Sequence, residues 1–261
     1  MIMNKNFTHK TISELVCLMF TVIAVFFIIT SFSANDKYSS SKAGTVRIIF
    51  NNTANGKPIS LRDSLYSNYF GEQYSISKLK YYISNISIGN NNMEGYYLMN
   101  AASGDSSFDI SCKPGTYNNL EFLLGVDSIK NCSGAQTGAL DPMNDMFWTW
   151  NTGYVMFKME GNSTASSSDL QRIEHHVGGY KGSNNVSTKI KFNFTSANLL
   201  QVKANSTTEV LIEMNLDNYW HGNSDIKISE SPVCTTTGEL AKKIASNFKN
   251  LFSIKNIYII P

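Results

Sequence analysis

Lys189-Ile190-Lys191-Phe192-Asn193-Phe194 decides the fold class, because polar and apolar side chains alternate strictly along it. Successive side chains of a β-strand point to opposite faces, so this pattern buries one face and leaves the other in water. The alternation recurs in three other segments, through the apolar sets Val46/Ile48/Phe50, Leu120/Phe122/Leu124/Val126 and Val210/Ile212/Met214/Leu216. Further strands are predicted at residues 79–88, 96–100, 154–159 and 172–177. Eight or so strands without long intervening helices predict an all-β, antiparallel β-sandwich.

The carboxy-terminal region departs from this pattern. Over residues 239–252, Leu240, Ile244, Phe248 and Leu251 fall at helical spacing, with lysines on the other side. Such spacing predicts an amphipathic helix. We expect it to pack on the sandwich, and a helix that binds a partner is the alternative.

The first 34 residues differ in composition from the rest. Lys5 and Lys10 precede an uncharged apolar run at residues 15–29, and the small residues Ser31 and Ser33 follow it. This arrangement predicts a signal peptide at residues 1–34, cleaved after Ser33, and therefore a periplasmic or secreted protein. The alternative is an uncleaved amino-terminal membrane anchor, although the run is shorter than the ~20 residues that span a bilayer. A cleaved leader would leave no membrane insertion.

Charge and motifs exclude several functions. The 22 basic and 20 acidic residues give a formal net charge of +2, so no broad field attracts nucleic acid or an anionic membrane. The chain contains no nucleophile elbow, phosphate-binding glycine loop or zinc-protease helix. We therefore predict that the protein is not an enzyme.

Three cysteines follow the predicted leader: Cys112, Cys132 and Cys234. An odd number cannot pair completely within one chain, so one disulfide and one spare thiol are expected, with Cys112 and Cys132 as the candidate pair. Their spacing matches no zinc motif.

A loop-like, glycine-rich stretch carries two of the three tryptophans. If residues 146–150 are extended, Met146, Trp148 and Trp150 project on one face. A thioether beside indole rings suits a soft monovalent cation such as Cu(I). The same residues suit a packed core, because contacts between methionine and aromatic rings are common there.

Two adjacent imidazoles follow, in His175-His176-Val177-Gly178-Gly179. On a strand they point to opposite faces, so only one of them can join a given site. A single hydrogen-bonded histidine near a turn fits this motif as well as a metal ligand does.

Oxygen ligands for calcium occur in the same region. They are Asp127, Asp141 and Asp145, with Asn131 and Asn144 nearby. Their spacing is not that of an EF-hand loop, so we expect them to cap turns, and calcium binding is the alternative.

These segments, taken in order, resemble the MbnP-like family, which is named for a methanobactin-associated periplasmic protein. The matching segments are Tyr81-Tyr82-Ile83-Ser84-Asn85-Ile86, Gly125-Val126-Asp127-Ser128, Gly138-Ala139-Leu140-Asp141-Pro142, Met146-Phe147-Trp148-Thr149-Trp150-Asn151, Lys158-Met159-Glu160-Gly161 and His176-Val177-Gly178-Gly179. The resemblance covers most of residues 45–255 and marks them as one MbnP-like domain.

The resemblance implies an exported copper-binding protein. Some members bind Cu(I) through histidine and a kynurenine, which is made by oxidising a tryptophan. The resemblance also implies a partner, a dihaem protein of the cytochrome c peroxidase type, that carries out this oxidation. By matching motif, Trp148 or Trp150 is the expected oxidised residue and His176 the expected imidazole ligand.

One expected ligand is missing. Known copper sites of the family use a second histidine near the tryptophan, and Asn144 and Asp145 stand at that place here. The candidate substitutes are His175, His221 and Met146. Two hypotheses result: a copper-associated binding protein, and a metal-free extracytoplasmic sandwich that acts as a binding or adhesion module.

Overall fold

The computed structural model describes residues 42–149, 153–196 and 198–260. The predicted leader and Trp150 lie outside the described residues. Within these ranges the strands are β1 Gly44–Ala54, β2 Lys57–Pro58, β3 Leu65–Ser67, β4 Gln73–Ile88, β5 Asn91–Asn100, β6 Ser107–Cys112, β7 Gly115–Tyr117, β8 Asn119–Leu124, β9 Phe147–Trp148, β10 Gly153–Asn162, β11 Arg172–Gly178, β12 Thr188–Asn193, β13 Leu200–Val202, β14 Thr207–Asn215, β15 Val233–Cys234 and β16 Phe252–Ile260.

Helices are few and short. Those described are α1 Ser128–Asn131, α2 Asp217–Trp220 and α3 Glu239–Ala245, with single 3-10 turns at Gly138–Leu140, Pro142–Asn144, Asp169–Gln171, Gly182–Asn184 and Phe248–Asn250. Within the described ranges, no helix is both long enough and apolar enough to span a membrane.

The strands form two main sheets, and the predicted sandwich-like fold is confirmed. The first sheet has the order β16-β14-β1-β2, with β6 also paired to β1. The second has the order β12-β8-β4-β10-β11-β15, with β3 and β5 paired to β4 and β9 paired to β10. The sheets are mixed, since β1 runs parallel to β14 and β11 parallel to β15. Alternation of side chains is the same in parallel and antiparallel strands, so it could not reveal this.

Aromatic side chains fill the space between the two sheets. Phe50 of β1 contacts Tyr81 of β4, Phe122 of β8 and Phe252 of β16, with ring centroids 5.8–6.0 Å apart. Tyr81 in turn stacks on Phe157 of β10. The predicted alternation is confirmed, because Val46, Ile48 and Phe50 are all buried while their neighbours in β1 are half-buried.

The predicted carboxy-terminal helix is present but ends early. α3 stops at Ala245, and the chain then makes a 3-10 turn and enters β16, which pairs antiparallel with β14. The fully buried Asn247 lies at the break, and its side-chain amide donates to the carbonyl oxygens of Tyr219 and Ser224. These tertiary hydrogen bonds fix the position of the chain where the helix gives way to the 3-10 turn.

Candidate functional site

Strand β11 carries both candidate histidines and, as predicted, directs them to opposite faces. His175 is completely buried. Its Nε2 lies 2.8 Å from the carbonyl oxygen of Ser231 and its Nδ1 lies 2.8 Å from the hydroxyl of Tyr219. A carbonyl only accepts, so Nε2 carries the proton and Nδ1 accepts from the tyrosine. Burial lowers the pKa of His175 to about 4. Both ring nitrogens are thus engaged, and His175 is not free to bind a metal.

His176 faces the other side of the second sheet and meets a carboxylate. Its Nε2 lies 2.9 Å from Oε1 of Glu160 on β10. The hydrogen bond from His176, aided by Lys78 on β4, lowers the pKa of Glu160 to about 2 although partial burial opposes this. Glu160 is therefore ionised at neutral pH.

Two lysines and a second carboxylate lie beside this pair. We call the five residues the ionic cluster: Lys78, Asp145, Lys158, Glu160 and His176. The ammonium of Lys158 lies 3.0 Å from Oδ1 of Asp145 and also donates to the Asp145 carbonyl oxygen. Lys78 lies 2.8 Å from Oδ2 of Asp145 and 3.2 Å from Oε2 of Glu160. Partial burial alone would raise the pKa of Asp145, but hydrogen bonds from both lysines lower it to about 2.

The ionic cluster and nearby hydrogen bonds hold the loop of residues 138–146 against the outer face of the second sheet. Asp145 follows the 3-10 turn Pro142–Asn144 and adopts a left-handed backbone with φ of 60°. Lys80 donates to the carbonyl oxygen of Asn144 at 2.8 Å. The hydroxyls of Tyr82 and Tyr154 donate to the loop carbonyls of Ala139 and Leu140. The region expected to be a metal-binding loop is therefore held by direct bonds to the sheet.

Trp148 packs against β11, the strand that carries His176. Its ring packs over Gly178, where an added Cβ would come within 2.7 Å of Cζ3. Positions 176 and 178 of a strand share one face. Trp148 therefore packs against a position of β11 that lies two residues from His176. Met146 and Trp148 are both buried, as core packing predicts.

Trp150 lies outside the described residues, so the copper site that the resemblance implies stays a prediction. Among the described residues, no group of three or more His, Cys, Asp or Glu side chains could hold a metal ion. Asp145, at the place of the missing histidine, pairs with lysines, and Nε2 of His176 is bound to Glu160. His221 lies outside the cluster, stacked on Tyr69 and bonded to Asp225.

Asp127 and Asp141, two of the candidate calcium ligands, cap turns. Asp127 accepts from the backbone of Ile129 and Lys130 at the start of α1. Asp141 accepts from the backbone of Met143. The side chains of Asn131 and Asn144 donate to loop carbonyls. These hydrogen bonds are those expected of side chains that cap turns.

The expected disulfide is not formed, because Cys112, Cys132 and Cys234 are all free thiols. Cys112 ends β6 in the first sheet, whereas Cys132 is exposed at the end of α1 beside the second sheet. Burial raises the pKa of the Cys234 thiol to about 11.

Lys78, Lys158 and Glu160 were not predicted as site residues. One feature of the sequence could have indicated them: Lys158 and Glu160 lie two positions apart in the otherwise apolar strand β10. Charged residues are almost never buried unless they are paired, so such a pattern indicates an ionic contact.

The fold and cluster define a sandwich-like β-domain whose covering loop is held by ion pairs from Asp145 to Lys78 and Lys158. The family model MbnP matches residues 43–236. The chain therefore belongs to the MbnP family. Among solved structures, MbnP from Methylosinus trichosporium matches with 12% identity over 71% of this chain and 80% of that chain, at a TM-score of 0.48. No curated protein matches the chain.

Proposed function

We propose that this MbnP-family member is an extracytoplasmic, non-catalytic binding protein that holds no copper at the ionic cluster. The observation that carries the proposal is the position of Lys158, whose side chain is 4% exposed and whose ammonium contacts Asp145. A positive charge of the protein itself already neutralises the acidic side chains beside His176.

Charge and ligand type both oppose copper there. A copper ion beside Lys78 and Lys158 would be repelled by two ammonium groups, and such repulsion is strong where water is scarce. Cu(I) prefers thiolate, thioether and imidazole ligands, whereas this cluster presents two carboxylates and a single imidazole.

The acid–base properties of the cluster support a non-catalytic role. Asp145 and Glu160 both have a pKa of about 2, so neither exchanges a proton readily near neutral pH. General acids and bases work best when their pKa lies near the operating pH. Both carboxylates instead act as permanent anions in ion pairs.

Location outside the cytoplasm rests on the leader pattern of residues 1–34 and on family membership. We propose a periplasmic or secreted protein, attached to the membrane only if the leader stays uncleaved. The dihaem partner and a kynurenine at Trp148 or Trp150 belong to the rival, copper-binding hypothesis.

One experiment separates the two hypotheses. Cu(I) is titrated anaerobically, in competition with bicinchoninate, into the natively produced wild type and into His176→Ala. We expect no copper binding in the wild type beyond that of the variant, and peptide mass analysis is expected to find both tryptophans unmodified. Stoichiometric copper in the wild type that is lost in His176→Ala, or kynurenine at either position, would overturn the proposal.

A further inference from the structure

A groove of about 800 Å³ lies between the end strands of the two main sheets. Its lining comes from β12, which ends the second sheet, from the segment that follows β12, and from β16, which ends the first sheet. Phe192 and Phe194 line it from one sheet, and Ile254, Ile257 and Ile259 from the other. The groove shares no residue with the ionic cluster. It is an apolar cleft of the size that protein ligand sites usually have.

The isoleucines of β16 belong to the interior face of the first sheet. Ile257 lies opposite Val210 of β14 and Ile259 lies opposite Thr208, and both of these partners are completely buried. Directly opposite residues of paired strands point to the same face. Ile257 is nevertheless only half-buried, and Ile259 is 39% exposed. The described part of the second sheet therefore leaves this end of the interior face uncovered.

Strand β12 has a free edge beside this uncovered face. Within the described ranges its ladder is with β8 alone. The amide of Phe194 continues the register by donating to the carbonyl oxygen of Asn118, and the residues that bond to the partner alternate along an antiparallel strand. The backbone groups of Lys189, Lys191 and Asn193 consequently point to the free edge.

The edge of β16 is less open to a further strand. The backbone amide of Ile257 already donates to the side chain of Asn256, at 2.9 Å. The ladder with β14 is also irregular between Leu211 and Ile212. Irregular edges of this kind oppose the addition of a strand. β12 is therefore the edge to which a further strand can pair.

The charge of the groove favours an acidic occupant. Among the described residues that line it, Lys191 and Lys255 carry charge and none is acidic. Lys255 is paired with Glu213 at 2.7 Å. Lys191 is exposed and forms no ion pair with another described residue. Lys191 is hence the cation available to a partner.

We propose that the groove binds an extended segment of another protein, which adds to the edge of β12 and carries a carboxylate opposite Lys191, between apolar residues. The carboxylate would lie on the outer face with the Lys191 side chain. Its two neighbours in sequence would point inward and cover the exposed isoleucines of β16. Main-chain hydrogen bonds supply affinity in such strand addition, and alternate side chains supply specificity. The inference gives the proposed binding role a class of partner and does not depend on the absence of copper.

A synthetic peptide tests this proposal on the full-length protein. The probe is acetyl-Thr-Val-Thr-Val-Glu-Val-Thr-Val-amide, in which the valines share one face of a strand and the glutamate lies on the other. We expect saturable 1:1 binding by isothermal titration calorimetry. Hydrogen exchange at the amides of Lys189, Lys191 and Asn193, followed by NMR, should slow at least tenfold, because these amides become hydrogen-bonded.

A charge exchange tests the role of Lys191. Lys191→Glu should weaken binding of the peptide at least tenfold, and a peptide with lysine in place of its glutamate should restore binding to this variant. Lys57→Glu is the matched control, since Lys57 is an exposed lysine of β2, at the opposite end of the first sheet, and it should bind the peptide as the wild type does. Proline in place of the two threonines nearest the glutamate should abolish binding, because proline has no amide to donate.

Several results would overturn the inference. One is the absence of peptide binding to the folded wild type, and another is binding that leaves the three amides of β12 unprotected. Dimers in analytical ultracentrifugation that the peptide dissociates would make a second copy of this chain the occupant. Binding of dodecanoate without binding of the peptide would make the groove a fatty-acid site. None of these results bears on copper at the ionic cluster, which the titration of His176→Ala decides.

Discussion

Glu160→Gln tests how much the ionic cluster contributes to the free energy of unfolding. The substitution keeps the shape of the side chain and removes the negative charge that Lys78 and His176 contact. The pKa of Glu160 falls from 4.5 to about 2 in the folded chain. At ~1.4 kcal/mol for each tenfold change in acidity, this corresponds to about 3 kcal/mol of folding free energy. The side chain is 23% exposed and glutamine can still bond to His176, so we expect a loss of about 2 kcal/mol at pH 7.

The expected loss of stability becomes smaller as pH falls. A carboxylate whose pKa is lowered by folding stabilises the protein above its unfolded pKa of 4.5, and this contribution disappears as pH falls toward 2. The stability gap between wild type and Glu160→Gln should therefore be constant above about pH 5.5 and nearly closed at about pH 2.

Urea unfolding followed by tryptophan fluorescence measures this gap, since urea leaves the ionic strength unchanged. Glu239→Gln is the control, because Glu239 is 92% exposed in its pair with Lys242 and its loss should cost less than about 0.5 kcal/mol. A gap below about 0.5 kcal/mol at pH 7, or a gap that persists at about pH 2, would refute the assignment of Glu160 to a stabilising cluster.

Two further predictions come from the structure and one from the sequence of the leader. Gly178→Ala should displace the Trp148 ring, because the new Cβ would lie 2.7 Å from Cζ3, and we expect about 1–3 kcal/mol of destabilisation. An unchanged near-ultraviolet circular dichroism spectrum would contradict this. The wild type should lose stability as pH falls from 6.5 toward about 4, because burial lowers the pKa of His175 and the folded state resists its protonation. His175→Gln should flatten this slope in urea unfolding, and equal slopes would count against it. Amino-terminal sequencing of the exported protein should begin at Ala34, and retained Met1 would indicate a membrane anchor.

The strands were predictable because their pattern is local. Ile48 and Phe122 alternate with less buried neighbours and both lie in the core. β16 was missed because its residues after Phe252 are mostly exposed or half-buried, as on the edge strand of a sheet, so no clean alternation marks them. The helical spacing at Ile244 and Phe248 was real, and both are buried, yet the helix stops between them.

The candidate site was predicted in part. The sequence alone indicated that His175 and His176 face opposite sides, because this follows from strand geometry. It could not show that His175 bonds to Tyr219, which lies 44 residues further along the chain. Assignment of His176 as a ligand came from the family motif, and its hydrogen bond to Glu160 is visible only in three dimensions.

The amino-acid sequence by itself determined the sandwich-like class of the fold, the faces that its strands bury and its resemblance to the MbnP family. Tertiary structure alone decided the parallel pairing of β1 with β14 and the meeting of Lys78, Lys158 and Asp145. The physical reason is the range of the interactions. Alternation of side chains is fixed by the geometry of each strand, whereas strand order and ion pairing depend on contacts between segments that are distant in the chain.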